Sequence, residues 1–199
     1  MPKSYSAFTY QDVENLGIIT KKANLQLQKL TEPVEPSKIL TTCLTRALEK
    51  DIATEKAKSE RIIMPILDEL EEINNRSFST FSGHQFNIDK ALGLMGFCDF
   101  ILSQTPNSPI IKSPIFCIVE AKNDNLDNGT AQCIAEMYAA QIFNAANKST
   151  KKVIYGATTL GFNWKFLKLE DNIAHIDNEI YPISELPKLL GVLNYIVNQ

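Results

Sequence analysis

Apolar residues recur every three to four positions in the first part of this chain and come in short continuous runs further on. The first rhythm is that of a helix with one buried face, the second that of strands covered on both faces. Ile39, Leu40, Cys43, Leu44, Ala47, Leu48 and Ile52 predict an amphipathic helix over about 38–53, with Ser37 as its N-cap. A second helix is expected over about 55–74, on the stripe Ile62, Ile63, Ile66, Leu67, Leu70 and Ile73. Pro65 lies inside it and predicts a kink or break, because it lacks an N–H and disfavours helix at Met64. Residues 1–36 read as a loosely organised arm, with a short helix capped near Thr9 and a linker marked by Pro33 and Pro36.

Strand signals begin after Asn75. "SFSTFSGHQF" alternates loosely, Phe97 to Ser103 forms a second run, and a Pro-rich turn leads to Ile115–Val119. The loop "NDNLDNG" precedes a helix with Thr130 as its expected N-cap, and "KKVIYGATT" is a fourth strand. "NWKFLKLE", "IAHIDNEIYPI" and a last helix, "SELPKLLGVLNYIVNQ", complete the chain. Helix, three strands, helix and strand together predict an α/β layer with a mixed sheet.

Composition narrows the picture by exclusion. The 199 residues suit one domain, or one domain with a helical extension. No apolar run is long enough to span a membrane and no leader pattern opens the chain, so a cytoplasmic protein is expected. Cys43, Cys98, Cys117 and Cys133 form no C-x-x-C pair, and His84 and His175 are far apart, which argues against zinc. Buried free thiols in a reducing compartment are the expectation. "NDNLDNG" fails as a calcium loop because its glycine is displaced and no Glu closes it. The formal net charge of -3 leans away from nucleic acid, although a local positive patch would suffice for binding.

Two charged residues end the most apolar run. In "IFCIVEAK", Glu120 and Lys122 are two apart and project from one face of a strand. Asp99 interrupts the preceding run, "GFCDFIL", at a spacing that lets it meet Glu120 across a hairpin. Two carboxylates suit Mg²⁺ or Mn²⁺, and a lysine beside them suits a phosphate or an attacking water. That chemistry is metal-assisted phosphodiester hydrolysis.

"GFCDF" followed by "CIVEAK" resembles the PD-(D/E)XK nuclease superfamily over about residues 55–160. The resemblance implies a restriction-endonuclease-like core in residues 55–199, with residues 1–54 as an N-terminal arm and helix. It implies Mg²⁺- or Mn²⁺-dependent cleavage of DNA, and a homodimer where both strands are cut. Asp99 and Glu120 then match the metal-site carboxylates, and Lys122 the catalytic lysine. Cys98 stands where the nominal proline would be. "SERIIMPIL" is similar to the start of the first core helix in archaeal Holliday-junction resolvases, which makes Glu60 the expected third metal ligand and Glu69 a second candidate. Gln132 fits the Gln that members often carry on the helix after the third strand, and Glu136 lies one turn later on the same face.

Two other readings remain at this stage. The same fold could serve as a non-catalytic binding or scaffolding module, or the charges could be a buried cluster that only fixes strand register. His84 and Asp89 read as loop residues, Trp164 and Phe166 as one packed face of a strand, and Lys148, Lys151 and Lys152 as a solvated loop.

Overall fold

The computed structural model describes residues 3–199, which form an α/β fold around one mixed eight-stranded sheet. The strands are β1 (Ile19–Ala23), β2 (Ser79–Gln85), β3 (Phe97–Ser103), β4 (Ile115–Ala121), β5 (Ile154–Thr159), β6 (Asn163–Glu170), β7 (Ile173–Asp177) and β8 (Tyr181–Pro182). Their spatial order is β1-β7-β6-β5-β4-β3-β2, and β8 pairs with β6. The antiparallel pairs β2–β3, β3–β4, β5–β6 and β6–β7 each join strands consecutive in the chain. The two parallel pairs, β4 with β5 and β1 with β7, need a crossover or a long excursion of the chain.

Every residue of β4 is buried, as its continuous apolar run requires. One face of the sheet carries Val119 and Ala121 of β4 and packs with the helices α2 (Lys38–Leu48), α4 (Met64–Ile73) and α6 (Leu186–Val197). The other face carries Ile115 and Ile118 and is covered by α5 (Thr130–Ala146). Asn144, buried near the end of α5, accepts from Ile115 N at 2.8 Å and donates to Ile115 O at 2.7 Å. One side chain therefore replaces a ladder partner at the start of β4 and fixes α5 along that strand.

Several expectations are corrected. The first 36 residues are not loosely attached. Tyr5 is fully buried, α1 (Tyr10–Asn15) starts at a Thr9–Asp12 capping box, and β1 extends the sheet beside β7. A five-residue strand with two lysines has no alternation to detect, and its partner lies far along the chain. The second helix does not break at Pro65. Pro65 opens α4, and the irregularity lies upstream, where α3 (Glu55–Lys58) runs into a π turn over Ser59–Ile63. Pro65 has no N–H to return to the preceding turn, and Met64 N instead reaches back to Ser59 O. Thr130 does not cap α5: Gly129 holds the N-cap position without a side-chain bond. The first long helix buries Leu40, Leu44 and Ala47 but leaves Ile39 and Leu48 exposed, and Cys43 is exposed where a buried thiol was expected.

Candidate active site

The β3–β4 ladder pairs Phe100 with Val119 and goes no further towards Glu120. Asp99 is the reason the next bond is replaced. Its Oδ2 accepts from Ala121 N at 2.8 Å, so a carboxylate takes the place of a backbone acceptor. The peptide it grips lies between Glu120 and Lys122. A carboxylate on one strand is thus anchored beside the Glu-x-Lys pair of the next.

On the far side of that pair, Lys122 Nζ donates to Glu120 Oε1 at 2.5 Å and to Gln132 Oε1 at 3.2 Å. Gln132 Nε2 donates in turn to Glu136 Oε1 at 3.0 Å, within the first two turns of α5. The geometry brings together Asp99, Glu120, Lys122, Gln132 and Glu136 in one connected polar chain. Gly129 closes it from above. A Cβ there would sit 3.0 Å from Lys122 Cγ and Cε and 3.3 Å from Glu120 Cγ, so the absent side chain gives the pair its space.

The chain is deeply buried at one end. Glu136 and Glu120 are almost inaccessible, while Asp99 and Lys122 are half-buried at the rim. Glu120 Oε2 and Glu136 Oε2 are buried and unpartnered, as is the Tyr5 hydroxyl. Burial pushes the Glu120 carboxyl well up, and the nearby Glu136 and Asp99 charges push it further, against the pull of Lys122. Burial also raises Glu136 to about 8, opposed by the hydrogen bond from Gln132. Asp99 is raised by burial too, and its bond from Ala121 N works the other way. Desolvation pulls Lys122 down, but Glu120, Glu55 and Asp99 together hold it above its ordinary value. The site therefore packs more carboxyl groups together than one ammonium can keep ionised.

Glu60 does not join this group. It projects from the π turn towards solvent, 3.8 Å from Lys56, with a side chain 62 % exposed. It shares with Asp99 the wall of a cleft of about 220 Å³, which Glu55, Ser82 and Gly83 also line. Among the described residues, no group of three or more His, Cys, Asp or Glu side chains is placed to hold a metal ion. The expected set of Asp99, Glu120 and Glu60 is thus not assembled, because the extra residue of the π turn leaves Glu60 on the outer face. Glu69 is elsewhere, capping α2 by accepting from Ser37 N at 2.6 Å and Ser37 Oγ at 2.7 Å.

Two contributors escaped the sequence reading. Glu55 adds to the negative field at Lys122. Lys58 is buried and donates to Asn123 O at 2.6 Å, tying the first helical turn to the loop after Lys122. Thr54 as an N-cap just before Glu55 was the signal available for the first. Nothing local marks Lys58. The remaining candidates have structural roles. His84 packs edge-on against Phe81, and Asp89 accepts from Ala91 N and Leu92 N in a turn. Trp164 and Phe166 are fully buried, and Lys151 lies over the Phe116 ring. No helix among the described residues is long and apolar enough to cross a membrane. Compared with known protein families and with curated proteins, the chain matches no family model and no individual sequence.

Proposed function

We propose that this protein is a divalent-metal-dependent nuclease that hydrolyses DNA phosphodiester bonds, built on a restriction-endonuclease-like core. The observation that carries the reading is the grip of Asp99 on the Ala121 N–H, which aligns one carboxylate with the buried Glu120–Lys122 pair. The order α4, β2, β3, β4, α5, β5, with β2–β4 antiparallel and β5 parallel to β4, is the order expected for that core.

The donor set suits a hard cation. Glu120 Oε2 is a buried oxygen without a partner, and the Glu136 and Asp99 charges add to what burial costs its ionisation. Asp99 and Glu120 would hold Mg²⁺ or Mn²⁺, with water and substrate oxygens completing the shell. Such an ion supplies Lewis acidity to the phosphoryl group and makes a nearby water easier to deprotonate.

The protein's own groups do the rest. Lys122 has three N–H donors, and Glu120 and Gln132 take two of them. The third is free to meet a phosphoryl oxygen or to orient the attacking water. Gln132 fixes the ammonium, and Glu136 fixes which way the Gln132 amide points. Asp99, at the rim, faces the cleft through which a backbone would approach.

Purified protein incubated with Mg²⁺ or Mn²⁺ and supercoiled, linear, branched and single-stranded DNA is expected to cleave at least one form. Lys122→Met is expected to lower the rate by about 100-fold or more, the range for removing one transition-state donor. Binding without cleavage of any form would favour a non-catalytic module. Absence of cleavage, together with Mn²⁺ binding that Asp99→Asn leaves unchanged, would refute the proposal.

A further inference from the structure

The proposed chemistry occupies the β3–β4 part of the sheet, and a row of side chains leads away from it. Glu120 pairs in register with Thr158 of β5, and Thr158 with Lys165 of β6. Directly opposed residues share a face. Glu120, Thr158 and Lys165 therefore point to the same side of the sheet. Between Glu120 and Lys165 stands the turn Leu126–Gly129, whose Asp127 accepts from Lys165 Nζ at 2.7 Å.

Beyond that turn lies a cleft of about 520 Å³, lined by Tyr10, Lys21, Lys22, Lys165, Asp127 and Asp177, among others. Its charge is asymmetric. Asp177 is committed to Tyr181 Oη at 2.8 Å and to the N–H groups of Leu25 and Glu179. Asp127 is exposed and already spent on Lys165. Lys21 and Lys22 are exposed and have no ion pair among the described residues. In a chain of formal net charge -3, this is a local excess of positive charge beside the proposed site.

We propose that this cleft is the groove for a polynucleotide backbone, with Lys165 and Lys22, which the ladder through Ile176 and Leu167 puts on the same face, holding phosphates that flank the bond to be cut. The inference rests on the nuclease reading and extends it. Strands lie about 4.8 Å apart, so Lys165 is roughly 10 Å and β1 roughly 19 Å across the sheet from Glu120. At a rise of about 3.4 Å per nucleotide, these positions meet phosphates about three and six nucleotides from the site. The 43 % exposed Tyr10 ring adds a surface on which a base can stack, which an acidic peptide or a lipid headgroup would not use. Asp127 holds Lys165 until a phosphate displaces it.

Lysines on an edge strand also discourage strand-to-strand aggregation, and that role alone predicts no effect on nucleic acid. The test compares K22A/K165A with K29A/K38A, which removes two exposed lysines elsewhere. Both variants carry the same net charge. Affinity for a labelled 30-base-pair duplex is measured by fluorescence anisotropy in EDTA across a salt series, with circular dichroism as the check on folding. The cleft variant is expected to bind about ten-fold more weakly at moderate salt, and to flatten the log–log salt slope by about one to two. The control variant is expected to follow the wild type. If both variants behave like the wild type, or lose affinity equally, the groove is overturned while the nuclease reading stands. If the wild type neither binds nor cleaves any polynucleotide, the nuclease reading fails and the groove with it.

Discussion

Glu136→Gln is expected to make the protein more stable at alkaline pH and to leave it nearly unchanged at pH 5. Glu136 is fully buried, and its Oε2 has no partner. Burial raises its carboxyl from the ordinary 4.5 to about 8, with the Asp99 charge acting in the same direction and Gln132, Lys122 and Cys98 opposing. Between those two values the folded protein keeps a proton that the unfolded chain has released. Stability therefore falls as pH rises through this window. Each pH unit is worth about 1.4 kcal/mol, which puts the ceiling at about 5 kcal/mol. That would be a large share of the 5–15 kcal/mol that holds a typical domain together. Gln is an uncharged shape mimic of the protonated acid, and its Oε1 still accepts from Gln132. It should therefore remove the pH-dependent loss without opening a cavity. Urea unfolding in EDTA, followed through the buried and unique Trp164, reads the effect directly. The variant should gain a few kcal/mol over the wild type at pH 8.5. Asp99, Glu120 and Asp68 are also raised, so the variant should keep part of the slope. Parallel curves for the two proteins, or a variant weaker than the wild type at pH 8.5, would refute the reasoning.

Asp99 separates structure from chemistry through two substitutions. Asp99→Asn keeps an acceptor for Ala121 N and should leave the urea midpoint nearly unchanged while lowering cleavage by about 100-fold or more. Asp99→Ala orphans that N–H and should also cost about 1–3 kcal/mol in the same unfolding assay. Glu69→Ala removes the carboxylate that holds Ser37 at the start of α2, and should cost about 1–2 kcal/mol with cleavage unaffected. A loss of cleavage there would bring Glu69 back as a site residue.

The elements whose signals are local were the ones legible in the sequence. Phe97–Ser103 matches the expected strand to the residue, and Ile115 begins β4 as expected, because a continuous apolar run bounded by turn residues has few other solutions. The face shared by Glu120 and Lys122 followed from the two-residue period of a strand, and the pairing of Gln132 with Glu136 from the four-residue spacing of a helix. Features that depend on tertiary context stayed hidden. The π turn that swings Glu60 outward arises from one missing N–H several residues away. Tyr5 sits in an unremarkable polar stretch, yet the fold buries it within the electrostatic reach of Cys98 and Glu136. Asp99 was found as an interruption in an apolar run, but its grip on a single peptide N–H is a fact of register that no spacing specifies.

The pairing of β1 with β7 also has a consequence for how the chain is made. Leu25, just after β1, meets Asp177, at the end of β7, across 152 residues of intervening sequence. At translation rates of 5–20 residues per second, β1 waits on the order of ten to thirty seconds for its partner β7 to be synthesised. During that interval it is an unpaired strand on a growing chain, next to the nascent strands of neighbouring copies. Lys21 and Lys22, side by side in its middle, give it the repulsive charge that keeps such a segment from pairing with the wrong chain. The edge of the finished sheet was first a segment that had to stay soluble alone, and the same two lysines serve both stages.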